Sequence, residues 1–159
     1  MSAPVGHVLE RDRAFMWMRR CALFAWELPQ NTLGLLLLAL QHVRGHIAEV
    51  QFERERVMVE IRSAGAISLG AFVFFTTVDN PYVPVGAENR DHEYGHSLQS
   101  RWLGPLYLPV VGLTSEMRVV YAFLFRHAVG KRWSGYYNGF PENWADRLGN
   151  VDTARRPLP

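Results

Sequence analysis

The chain has a single cysteine, Cys21, so no disulfide can form within it. That fits a reducing compartment, although periplasmic domains can also lack cystines. Surplus charge is small: 17 basic against 15 acidic residues leave +2 with histidine neutral, too balanced to point to nucleic acid. The opening Met-Ser-Ala-Pro-Val-Gly-His has no basic stretch followed by an apolar one, so no signal peptide is read there. Long apolar runs are missing too. Leu33–Leu40, Ala66–Val78 and Leu103–Leu113 each fall well short of the roughly 20 residues that cross a bilayer. They are expected to be core elements, or at most membrane-surface contacts, and the lack of a spanning segment argues against an intramembrane protease. No internal repeat and no low-complexity segment is found.

What is present suits one folded domain. The 159 residues are 48% hydrophobic and 20% charged, and a chain of that length can bury roughly 68–70% of its unfolded surface without a covalent staple. The expected division is a single domain over 1–152 and a loose tail over 153–159, which is polar and contains proline.

Periodicity gives an α+β chain. Residues 8–28 carry Phe15, Met18, Leu23 and Trp26 at helical spacing, and Cys21 among apolar neighbours is expected to be buried there. Leu28-Pro29 interrupts the pattern, and Asn31 or Thr32 can cap a second helix through about Val43. After Gly45 the period becomes two. Ile47 to Glu53 and Val57 to Arg62 alternate as strands about an Arg54-Glu55-Arg56 turn, which lacks the usual glycine or asparagine. Ile67–Thr77 reads as a more buried third strand, giving a three-stranded antiparallel sheet. Asn89 can cap a helix from about Arg90 to Leu103, stopped by Gly104-Pro105. Tyr107–Leu113 is expected to be irregular, Ser115 to cap a helix from Glu116 to about His127, and Pro141 to open a last helix through Leu148.

The chemistry sits in His92-Glu93-Tyr94-Gly95-His96. Histidines four apart on a helix share one face, one turn apart, where two nitrogens can bind one Zn²⁺ at about 2.0–2.1 Å. Glu93 follows the first ligand and can take a proton from a zinc-activated water, the HExxH logic of zinc metalloproteases. Gly95 suits close packing of another element on the zinc helix. In a chain with six His and ten Glu, chance produces this pattern roughly once in a hundred such chains, so a third ligand is needed. A histidine six residues beyond His96 is absent, since position 102 is Trp. Glu142 and Asp146 instead lie one helical turn apart after Pro141. Glu142 can complete the metal site while Asp146 accepts a hydrogen bond from a ligand histidine. Read alone, Glu142 is an ordinary first-turn acid favouring the helix dipole; Glu116 is the weaker competitor.

His92–His96 followed by Glu142 and Asp146 resembles the gluzincin class of zinc peptidases. That likeness implies a small zincin-like domain in which His92, His96 and Glu142 hold zinc, Glu93 is the general base and Asp146 orients a histidine. Residues 92–100, 103–113 and 142–149 are similar to a bacterial family sharing HEYGH, a GPLYL-like segment and TExWA[DN], some members of which are C-terminal modules of Rhs-type toxins. Pro141 stands where that family usually has Thr. The likeness covers roughly residues 60–150. It implies hydrolysis of a peptide or protein substrate and, for a toxin module, an immunity or inhibitor partner; with no signal peptide read, the chain is expected to be cytoplasmic or delivered as such a module.

An oxyanion stabiliser is also expected in such sites, with Tyr137, Tyr136 and His127 as candidates and Tyr137 taken as the first choice. The strand Ile67–Thr77 can bind an extended peptide along its edge or be plain core. A reading from a different class remains: a non-catalytic, zinc-stabilised or membrane-surface domain, suggested by the apolar segments at 33–40 and 103–113.

Overall fold

A computed structural model describes residues 5–156, with backbone alone for 5–12 and 155. Five α-helices and a four-stranded mixed sheet make it an α+β fold. Helix α1 (Val5–Trp26) turns through 85° into α2 (Leu28–Val43) at Glu27, with Pro29 in the first turn of α2. Strands β1 (Ile47–Glu53), β2 (Arg56–Ile61), β3 (Ile67–Leu69) and β4 (Phe72–Phe75) follow, then α3 (Asn89–Leu103), α4 (Leu113–Val129) and α5 (Glu142–Gly149).

The sheet corrects the three-stranded antiparallel expectation. Its order is β1-β2-β4-β3, with β2 parallel to β4 (Val57 opposite Phe72, Val59 opposite Phe74). The run Ile67–Thr77 is two strands because the chain reverses at Gly70, where φ is +64° and a Cβ would stand 2.2 Å from Asn31 Oδ1. That same oxygen accepts the Ala71 N–H at 2.7 Å, so Asn31 anchors the reversal rather than capping α2. Consecutive strands pair more often than not; here the short β3 takes the edge and β4 returns beside β2.

The β1–β2 turn explains its missing glycine. Arg54 and Glu55 both adopt positive φ, +49° and +61°. Arg54 lies over the Tyr94 ring and near Asp91, while Glu55 accepts from Arg101 at 3.0 Å. Tertiary contacts therefore hold a conformation that side chains seldom adopt.

One core cluster joins the sheet to α2 through Val59, Ile61, Phe72 and Phe74 with Leu37 and Leu38. Helix α3 lies between the sheet strands β3 and β4 and helix α5. Arg56 of β2 is buried beneath it, donating to Ser97 Oγ (3.0 Å) and Ser97 O (2.9 Å) and facing Glu27 at 3.7 Å.

The region after α3 differs most from expectation. Gly104–Leu106 is a 3-10 turn, and a π-helical turn over Leu108–Gly112 runs straight into α4. Pro109 falls in a first turn, where no N–H is required. Leu108–Val129 is thus one run of 22 residues, long and apolar enough to cross a membrane. This overturns the reading that no segment reaches that length. Ser115 lies inside the run and caps nothing. Cys21, expected to be buried, is exposed, as are Phe15, Met18 and Trp26 of the same helix. At the other end, Thr153–Arg155 form a 3-10 turn and Arg156 packs against the domain; residues 157–159 of the expected loose tail lie outside the described residues.

Candidate metal centre

His92, Glu93 and His96 come from α3, and Glu142 and Asp146 from α5. Two glycines set the distance between these helices. A Cβ on Gly95 would meet Ala145 O at 2.0 Å, and one on Gly149 would meet Asp91 O at 2.0 Å. The backbones therefore touch, and the first turn of α5 falls over the histidine face of α3.

Both imidazoles address one carboxylate oxygen. His92 Nε2 is 3.0 Å and His96 Nε2 3.2 Å from Glu142 Oε2. Their rings stand perpendicular, with centroids 4.7 Å apart. The three residues are buried, and their ligand atoms lie within 4.8 Å of one another, so they could hold a metal ion. For tetrahedral ligands at about 2.05 Å from a centre, ligand–ligand spacing is about 3.3 Å, close to these separations.

Each ring's other nitrogen is also partnered. His92 Nδ1 lies 2.7 Å from Asp146 Oδ1, and His96 Nδ1 lies 2.8 Å from Gln99 Oε1. An acceptor at Nδ1 holds the proton there and leaves the Nε2 lone pair for a cation. Gln99 is itself fixed by donating to Pro141 O at 2.9 Å. Ser115 donates to Glu142 Oε1 at 2.6 Å, which leaves Oε2 for the histidines. Arg156 completes the outer layer, reaching Asp146 Oδ1 at 2.7 Å and Oδ2 at 2.9 Å while lying 3.3 Å above the Tyr137 ring.

Charge follows this geometry. Burial alone would push His92 down, but the carboxylates of Asp146 and Glu142 outweigh it and raise the group to about 9. Burial would raise Glu142, yet hydrogen bonds to the two imidazoles hold it well below the usual carboxylate range. Asp146 is lowered against its burial by His92 and Arg156. The carboxylates of Glu142 and Asp146 thus set negative charge around the His92 imidazole. Glu93 goes the other way: burial raises it, against the pull of the histidines. The Ser68 hydroxyl lies 2.5 Å from Glu93 O and 3.0 Å from Glu93 Oε2, tying this carboxylate to the edge strand β3.

A cavity of about 130 Å³ opens beside Glu93 and His96, with Tyr107, Ser115, Glu116 and Tyr136 in its walls. Tyr137 packs edge-on to His92 with centroids 5.1 Å apart, but its hydroxyl donates to Pro84 O at 2.7 Å. Tyr136, buried and lining the cavity, keeps its proton because burial raises it well above its ordinary value. His127 is exposed, with Nδ1 on Phe123 O. Tyr107 donates to Ser68 O at 3.0 Å, so part of the β3 edge is already occupied.

Sequence reasoning missed Ser68, Gln99, Ser115 and Arg156. Gln99 was accessible from its place three residues after His96 on the same helix. The others come from a distant strand, a helix assigned the wrong start, and the tail. Comparison with protein-family models, with curated proteins and with solved structures found no match to this chain. Function is therefore read from the chemistry of the site.

Proposed function

We propose that the chain is a zinc-dependent peptidase with a zincin-like site, in which His92, His96 and Glu142 hold the ion and Glu93 is the general base. The observation carrying this reading is the convergence of two buried imidazoles on one buried carboxylate oxygen, with a second buried carboxylate, Glu93, on the adjoining cavity. Two nitrogens and one oxygen suit zinc, and three protein ligands leave a fourth position for water or substrate, as catalytic rather than structural sites do.

Zinc bound there supplies Lewis acidity and an acidified water. Glu93 takes a proton during attack on the peptide carbonyl and returns it to the departing amine. Ser68 keeps that carboxylate on the cavity side. Asp146 and Gln99 hold the histidine rings in place, and Ser115 holds Glu142. Tyr136 is the better placed oxyanion donor, because it lines the cavity whereas the Tyr137 hydroxyl is engaged by Pro84.

The test is paired measurement of zinc content and cleavage of a mixed peptide library on the full chain. Wild type should hold about one zinc per chain, and His96→Ala should lose it. Glu93→Gln should keep zinc and lose cleavage by about two to four orders of magnitude. Undiminished cleavage by Glu93→Gln removes the hydrolytic reading; zinc without cleavage in wild type leaves a zinc-stabilised binding domain.

A further inference from the structure

Beside its apolar core, the protein buries several large polar side chains and leaves many large apolar ones exposed. Among the largest fully buried side chains are Arg56, Gln30, Gln99, Glu27 and Glu142. Helix α2 shows both within one element. Its buried positions are Gln30, Asn31, Gly34 and Gln41, while Leu33, Leu36, Leu40 and Val43 form an outward stripe, Val43 at 83% exposure and Leu36 at 63%. An amphipathic helix on a water-exposed domain turns its apolar face inward. Here the polar side chains have work inside: Gln30 donates to Gly104 O, Asn31 to Phe24 O, and Gln41 partners His46.

Leu108–Val129 also leaves an apolar side uncovered, with Val111 and Ala122 its buried residues. Leu113, Met117, Val120 and Leu124 form an exposed stripe at spacings of four, three and four. Of the two charges in the first 18 residues of the run, Arg118 is turned to the protein, onto the carbonyls of Gly135 and Tyr136, and Glu116 is exposed at the wall of the metal-site cavity. At about 1.5 Å per residue, 22 residues reach about 33 Å, the thickness of a bilayer's hydrocarbon core. Cations follow each stripe, with Arg44 after α2 and Arg126, Lys131 and Arg132 at the end of α4, as anionic head groups favour. Trp17, Trp26 and Trp102 are exposed nearby in the fold, the residue type that settles at membrane interfaces.

We infer that the chain is an integral membrane protein, with Leu108–Val129 embedded in a lipid bilayer and the leucine stripe of α2 lying against acyl chains. Lipid fits better than a second copy. The apolar surface is spread over α1, α2 and α4, and α1 and α2 diverge by 85°, so one flat two-fold contact cannot cover it. Polar-inside, apolar-outside packing is what a hydrocarbon solvent selects. The inference does not depend on the hydrolytic reading, although the cavity beside Glu93 is walled by the first turns of this same run.

The full chain, produced in bacterial cells, is fractionated and its membranes are washed with alkaline carbonate. Purified wild-type and Met117→Trp protein are then reconstituted into phosphatidylcholine vesicles containing a minority of phosphatidylglycerol, some with brominated acyl chains. The chain should stay with the membranes through the wash, and bromine should quench Met117→Trp protein more than wild type, whose five tryptophans give the baseline. Val120→Glu with Leu124→Glu should lower the vesicle-bound fraction about tenfold or more while retaining wild-type helicity by circular dichroism. Recovery as a detergent-free soluble monomer overturns the inference, and so does a soluble oligomer, which would show copies covering these stripes. Release by carbonate or no quenching beyond the wild-type baseline also overturns it.

Discussion

Replacing Gly95 by Ala tests the helix contact that makes the metal site. The added Cβ would lie 2.0 Å from Ala145 O, 2.7 Å from its carbonyl carbon and 3.0 Å from Gly149 N, all backbone atoms that no rotamer change can move. Ordinary contact begins near 3.4 Å, so α3 and α5 must part by about 1 Å or more. Overpacking of this kind costs about 3 kcal/mol at the upper end, and the better helix propensity of alanine returns about 1 kcal/mol. The expected net loss is about 2 kcal/mol. The same displacement carries Glu142 away from imidazole nitrogens now 3.0 and 3.2 Å from its oxygen. Since metal–ligand distances tolerate about 0.2 Å, zinc affinity should fall by about tenfold to hundredfold. Denaturant unfolding with chelator present and competition with a chromogenic zinc chelator measure the two effects separately. An alanine variant that is as stable as wild type and binds zinc within about threefold of it would refute the contact between these helices as the determinant of the site.

Two further outcomes follow from the layer around the ligands. Asp146→Asn should weaken zinc binding by about 10–100-fold, and Arg156→Ala should do so by less, since it acts through Asp146; equal zinc affinity in wild type and both variants, read by chelator competition, would show that this layer does not orient His92. In chelated protein, His92 should contribute stability that is fully present below pH 6.5 and is lost as the pH rises to about 9, because its folded-state proton affinity is raised. At about 1.4 kcal/mol per pH unit that is about 3 kcal/mol, and zinc affinity should climb over the same window as the proton leaves. Unfolding free energies measured at about pH 6 and about pH 9.5 check the sign; no decline in the chelated protein would contradict the raised His92.

Much of the site was legible because it is local. His92 and His96 share a helix face through their spacing alone, and Glu142 and Asp146 do so on a second helix. The tight packing at Gly95 was also readable, though its partner was not. The sheet was half legible: alternation marks strands, but it does not say that β4 inserts beside β2, since pairing partners are chosen by tertiary contacts such as Asn31 against Gly70 and Ala71. Reading Tyr107–Leu113 as irregular shortened a continuous helix, because a proline in a first turn and a glycine inside a run, Pro109 and Gly112, are both compatible with helix.

The amino-acid order by itself determined the helical and extended segments, the two histidines on one face, and the pairing of Glu142 with Asp146. Spacing fixes which residues share a face, and that is a property of backbone geometry alone. Only the tertiary structure decided that these two helices meet, that Ser68, Gln99, Ser115 and Arg156 contact Glu93, His96, Glu142 and Asp146, and that α2 turns Gln30, Asn31 and Gln41 inward and Leu33, Leu36 and Leu40 out. Which face is buried depends on what the rest of the chain offers it. Beneath Gln30, Asn31 and Gln41 the interior offers hydrogen-bond partners, and the outer leucines of α2 are left for whatever surrounds the protein.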